Sequence, residues 1–212
     1  MIEVIHYQNE DVDRTFEADI LKYYDEAKAL LPSIPPTLKI YFSDYGILDY
    51  CGLGGYAYAH DIITLSIDPN FKDKLTQLNS IRPTIFHESF HLFQDFTGES
   101  KIYSALEGAV YEGMATVFER DHADTFEPYG DYRKTEVSKL ESWTQQLRSF
   151  GPEYQNEEIY RAWKFYHPEL KEQWIAYKVG TWITDQVLAK HNLTVMDLST
   201  KSAAEVIKLY EQ

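Results

Sequence analysis

The sequence predicts an α+β fold, with a small N-terminal sheet in residues 37–68 and a mainly helical part from about 70 to 212. Three observations predict it. Segments between 37 and 68 alternate apolar and polar side chains, the two-residue period of a half-buried strand. After Asp68-Pro69-Asn70 the apolar period lengthens to that of a helix and stays so to the end. The two kinds of segment are segregated, which is the order of an α+β chain and not of repeated βαβ units. With 212 residues, 44% of them hydrophobic and 15% aromatic, the chain can bury one sizeable core. Residues 1–212 are therefore expected to form a single domain.

Each element follows from its own residues. A helix is expected over 13–31, where Phe16, Ile20, Tyr23, Tyr24, Ala27 and Leu31 recur at helical spacing and Pro32, Pro35 and Pro36 end it. Residues 37–43 (TLKIYFS) set Leu38, Ile40 and Phe42 against Thr37, Lys39 and Tyr41, so they form a strand. The CGLGG stretch at 51–55 reads as a flexible loop; no GK[ST] follows it, so it does not cradle phosphate. Strands are expected at 56–59 and 61–68, the second with Ile63, Leu65 and Ile67 on one face. Short helical material at 71–78 leads into a helix over 82–96, with Pro83 tolerated in its first turn and Gly98 as its stop. Further helices are expected over 101–121, 132–150, 169–190 and 202–210.

Composition excludes several function classes. A net charge of −14 argues against nucleic acid and anionic membrane, both of which attract basic surfaces. Cys51 is the only cysteine, so no intramolecular disulfide and no cysteine-based zinc cluster can form. The start, MIEVIHYQNEDVDR, lacks the basic-then-apolar pattern of a signal peptide, and no window approaches a membrane span. A reducing cytoplasm is the expected address. The oligomeric state is not legible.

The informative stretch is IFHESFHLFQDF, residues 85–96. His87, Glu88 and His91 spell H-E-x-x-H within the helix expected over 82–96. Residues four apart on a helix stack on one face, so both imidazoles can share one metal ion while Glu88 projects beside it. The apolar flanks Ile85, Phe86, Phe90 and Phe93 mark the helix as buried, where an unpartnered imidazole or carboxylate is costly and a metal would satisfy both. Zinc suits that donor set. A hydrolytic zinc site needs a third protein ligand and one position for water. No third histidine follows at the required spacing, since 94 is Gln and 97 is Thr, so a carboxylate on the next helix is expected. Glu107, Glu112 and Glu119 are the candidates. Glu107 falls in the bulky sector with Tyr103, Leu106, Met114, Val117 and Phe118. Glu112 lies in a strip with Ala105, Gly108, Ala109 and Ala115, whose small side chains admit a close neighbour; Glu119 shares the sector two turns on. Glu112 is the predicted ligand.

His87-Glu88-Ser89-Phe90-His91 followed twenty residues later by Glu112-Gly113-Met114-Ala115 resembles the gluzincin metallopeptidases, in which a Glu on the next helix completes H-E-x-x-H. With GGYAY, DIITLSID and a late Y-x-x-G-x-x-I (Tyr177, Gly180, Ile183), the chain is similar to a bacterial family of predicted Zn-dependent proteases. The resemblance implies a zincin-like fold and hydrolysis of peptide bonds in a peptide or protein substrate by a zinc-activated water, with Glu88 as general base and then acid. It implies an oxyanion donor from the C-terminal half, Tyr177 first and His167 second. It also implies a substrate extended along an edge strand at 61–68. One departure stands out: thermolysin-like members carry an Asp one turn after the ligand Glu, and here position 116 is Thr. Orientation of the ligands must come from elsewhere, with Glu119 and Asp95 as candidates. A zinc-bearing regulatory module without turnover, or a zinc hydrolase of a non-peptide amide or ester, would use the same ligands.

Overall fold

Alternation in residues 38–42 does what the sequence predicts: Leu38, Ile40 and Phe42 are buried, and the strand they form stands between two others. The computed structural model describes residues 3–5, 16–43, 46–98, 100, 104–125, 127–151 and 156–212. The fold is mixed α+β, in two compact units, Met1–Ser100 and Lys101–Gln212.

The first unit carries a four-stranded sheet. Strand β1 (Glu3–Ile5) is followed by helix α1 (Glu17–Leu30) and strand β2 (Lys39–Ser43), then by β3 (Leu53–Ala59) and β4 (Ile62–Ile67). Their order across the sheet is β1-β2-β4-β3, with β1, β2 and β4 parallel and β3 antiparallel to β4. One βαβ unit, β1–α1–β2, therefore opens the chain, although no alternation follows it. Three residues are too short for a periodicity signal, and a parallel partner has no turn beside it to announce the pairing. Helix α1 buries Ile20, Tyr24 and Ala27 one turn apart and holds Tyr24 by a 2.7 Å hydrogen bond from its hydroxyl to the Pro35 carbonyl. The expected start of this helix, residues 13–15, lies outside the described residues.

Two expectations about this sheet are corrected. The strand at 61–68 is interior, not an edge: β4 pairs with β2 on one side and β3 on the other, and β3 is the edge. The glycines of CGLGG are strand rather than loop. Only Gly52 turns, at φ +66°; Leu53, Gly54 and Gly55 belong to β3. Their lack of a side chain serves close approach. A Cβ on Gly54 would stand 2.2 Å from the Gly46 carbonyl oxygen, and one on Gly55 would stand 2.5 Å from the Thr84 methyl and 2.9 Å from the Glu88 side chain.

Helix α2 (Lys74–Asn79) is capped by Asp73 and leads through Ser80 into α3 (Ile81–Phe93), which packs on α1 and β3. Ten consecutive-turn positions of α3, from Ile81 to Leu92, are buried, so the helix is enclosed on nearly all sides. It stops five residues before Gly98, the expected stop. Asp95 turns the chain at φ 54°, Phe96 N–H closes on the His91 carbonyl, and Gly98 instead donates to the Ala57 carbonyl of β3.

The second unit is helical around one crossing. It comprises α4 (Ala105–Ala123), α5 (Val137–Ser149), α6 (Glu157–Lys164), a hairpin of β5 (Tyr166–His167) and β6 (Glu172–Gln173), α7 (Ile175–His191), α8 (Val195–Leu198) and α9 (Ala203–Glu211). Helix α4 begins at a capping box, Ser104 with Glu107; the expected start at 101–103 lies outside the described residues. The small strip of α4 admits α7. A Cβ on Gly113 would fall 1.9 Å from the Gly180 carbonyl carbon, and one on Gly180 would fall 1.7 Å from the Ala109 oxygen. Helix α6 and the hairpin have no counterpart in the sequence reading, and the hairpin occupies the first turn of the helix expected from 169. Among the described residues no helix is long and apolar enough to cross a membrane.

Candidate metal centre

Burial of α3 on all sides puts its polar residues where water does not solvate them. His87 and His91 are each 4% exposed and Glu88 is 6% exposed. One helical turn apart, the two imidazoles bring their Nε2 atoms to 3.1 Å, ring centroids 4.7 Å apart and nearly perpendicular. Two nitrogens this close to each other suit neighbouring vertices of a tetrahedral ion with bonds of about 2.0–2.1 Å. The residues present thus fit zinc.

Glu88, next to the first histidine, reaches the edge strand. Its Oε2 accepts a 2.7 Å hydrogen bond from the Ala57 N–H, and its Oε1 lies against Gly55. That bond also shows which groups of β3 face outward. Ala57 points both N–H and C=O away from β4, to Glu88 and Gly98, and Leu53 points its C=O to Leu48. By the two-residue repeat, the N–H and C=O of the exposed Gly55 point outward between them.

In the second unit the three acidic candidates have different fates. Glu107 is spent on the helix start, where the Ser104 N–H donates to its carboxylate. Glu119 is fully buried and accepts a short hydrogen bond from the Tyr129 hydroxyl. Glu112, 6% exposed, is held by a lysine: Lys164 Nζ stands 2.6 Å from its Oε1. Among the described residues, His87 and His91 in the first unit and Glu112 in the second are buried, and each has a ligand atom to offer a metal ion.

Lys164 is the residue that sequence reading missed. It ends α6, its side chain is 11% exposed, and its ammonium stands 5.2 Å from the centroid of Tyr160 and 5.6 Å from that of Tyr177. Burial by itself would pull its pKa down, but the Glu112 carboxylate, with Tyr160 and Tyr177, holds it well above the ordinary lysine value. The one local signal is the aromatic one turn earlier at Tyr160; its partner Glu112 is 52 residues away in the chain.

The other expected residues are placed as follows. Tyr177, half-buried in the first turn of α7, meets the Tyr129 ring at a tilt of 52° with centroids 5.0 Å apart, and the Tyr129 hydroxyl serves Glu119. His167 sits in the hairpin, its Nδ1 accepting from the Leu170 N–H and its ring against Trp163. Asp95 is exposed in the turn after α3. Thr116, where an Asp stands in the thermolysin-like pattern, is buried and donates its hydroxyl to the Glu112 carbonyl of its own helix. Of the two orienting candidates, Asp95 is therefore at the surface and Glu119 is buried with the Tyr129 hydroxyl, while Glu112 accepts from Lys164.

No curated protein and no solved structure matches the chain. A family model does: residues 45–208 match the one described as predicted Zn-dependent protease (DUF2268), a span that holds β3, β4, the H-E-x-x-H helix, Glu112 and Lys164. The chain belongs to that family of predicted Zn-dependent proteases.

Proposed function

We propose that the protein is a zinc-dependent peptidase of the gluzincin type, with His87, His91 and Glu112 as metal ligands and Glu88 as the general base. The observation that carries the proposal is the position of the Glu88 carboxylate. It is buried, one residue along α3 from His87, and held by the backbone of an edge strand, so it stands at the strand where an extended chain would pair.

A zinc ion held there supplies Lewis acidity, which makes a water nucleophilic near neutral pH and polarises the scissile carbonyl. The protein residues do the rest. The Ala57 N–H fixes Oε2 of Glu88, so Oε1, on the Gly55 side, is the oxygen that takes a proton from the attacking water and later delivers it to the leaving amine. Gly55, exposed and with outward N–H and C=O, pairs with the substrate backbone as an added strand, and β3 rather than β4 is the strand extended. Tyr177 donates to the oxyanion, its phenol standing at the start of α7, and His167 is the second choice because the hairpin already engages its Nδ1.

Glu88→Gln tests the proposal. The amide keeps size and removes basicity, so the variant should fold and hold zinc while losing cleavage of a diverse peptide pool by roughly two to four powers of ten. Equal cleavage by both proteins would remove Glu88 from the mechanism. Zinc bound with no cleavage by wild type would favour a regulatory module, and turnover confined to small amides or esters would favour a non-peptide hydrolase.

A further inference from the structure

Lys164 is built into its place. The buried ammonium reaches one oxygen of a buried carboxylate at 2.6 Å and stands over the rings of Tyr160 on its own helix and Tyr177 on the next. A lysine so enclosed cannot swing to solvent without leaving both aromatic faces and breaking a buried ion pair. A carboxylate has two oxygens and can grip a metal with one or with both. Which it does sets how many positions are left for water and substrate.

We propose that Lys164 is a positioning residue of the metal centre: by holding Oε1 of Glu112 it limits the grip of the carboxylate on the metal to one oxygen and fixes the carboxylate plane. The inference rests on the reading of Glu112 as a ligand. Lys164 acts on the Glu112 carboxylate from α6, while one turn along α4 the Thr116 hydroxyl donates to the Glu112 carbonyl. Lys164 touches no reacting atom in this role. Its effect is on the affinity and the coordination number of the metal.

The experiment uses the full chain as wild type, Lys164→Met, Lys164→Gln and Glu112→Gln. Melting of the metal-free proteins, followed by circular dichroism, identifies the variants that fold. Zinc affinity is read by competition with a chromophoric chelator, and coordination by the visible absorption of the cobalt-substituted proteins, which weakens as coordination number rises above four. In Lys164→Met the cobalt bands should lose intensity as the second oxygen joins, and zinc should bind more tightly, by about 10-fold, because a buried cation beside the ion is gone and a donor oxygen is added. Lys164→Gln, which still has an N–H to donate, should fall between Lys164→Met and wild type in both readouts. If Lys164→Met does not fold, Lys164→Gln decides, and any shift of its affinity and cobalt spectrum in the stated direction supports the proposal. Wild-type affinity and spectrum in a folded Lys164 variant, with both lost in Glu112→Gln, would overturn the positioning role alone. Wild-type values in Glu112→Gln would overturn the ligand assignment beneath it.

Discussion

Replacing Gly180 by alanine attacks the crossing on which the second unit is built. The new Cβ would stand 1.7 Å from the Ala109 oxygen, 2.6 Å from the Ala109 carbonyl carbon and 3.0 Å from the Gly113 nitrogen. All three are backbone atoms of α4, so no side chain can rotate away. Ordinary contact begins at 3.4 Å, and the two helices must part by about 1.7 Å at this point. A gap of that size forfeits half or more of the dispersion energy between the facing surfaces, and overpacking of a tight core costs about 1–3 kcal/mol or more. Alanine recovers about 1 kcal/mol through its better helix propensity. Because the clash is with backbone, we take the upper end: a net loss of roughly 2 kcal/mol, or a melting point lower by about 8 °C. All four tryptophans (Trp143, Trp163, Trp174 and Trp182) lie in Lys101–Gln212, so tryptophan fluorescence during urea unfolding reports this unit by itself. Gly151→Ala is the control, since a Cβ there meets nothing within 4 Å. A Gly180→Ala protein as stable as Gly151→Ala would refute the backbone-to-backbone crossing of α4 and α7.

Metal content is expected at about one zinc per chain after purification without chelator, and Glu112→Ala should lower it to a small fraction; full zinc in Glu112→Ala with loss in Glu107→Ala or Glu119→Ala would refute the ligand set. Tyr177→Phe should slow peptide cleavage less than Glu88→Gln does, because zinc still stabilises the oxyanion; a larger loss would give Tyr177 a different role. Partial burial holds the His122 pKa below its ordinary value against the neighbouring Asp121 charge. The unfolded chain then binds the extra proton first, so stability present above about pH 6.5 is lost as pH falls through that value toward the folded pKa. His122→Phe should flatten this part of the stability profile in urea titrations at a series of pH values, and an unchanged slope would discard the assignment.

How much of this was legible in the sequence follows from how far each feature reaches along the chain. H-E-x-x-H was readable because four residues on a helix place two side chains on one face whatever surrounds them, and the structure keeps His87 and His91 in that relation. The capping box that occupies Glu107 was equally local, four residues from Ser104 to Glu107, though only the close α4–α7 crossing shows what the small residues of α4 serve. The alternation of Leu38, Ile40 and Phe42 announced a strand because burial of one face needs only that period. That period does not say which strand lies beside which. The interior place of β4, the edge place of β3 and the parallel pairing with β1 are set by contacts between distant segments, and no turn residue encodes them. Glycines at 54 and 55 looked like a loop since their reason, the close approach of Gly46, Thr84 and Glu88, lies elsewhere in the chain. Lys164 is the extreme case. By itself it is one of many lysines expected at the surface, and it becomes part of the site only because folding carries it to a carboxylate 52 residues earlier and removes the water from both. The sequence by itself determined the donor types and their spacing on one helix; the tertiary structure decided which backbone holds Glu88 and which cation holds Glu112, because both depend on burial between segments remote in the chain.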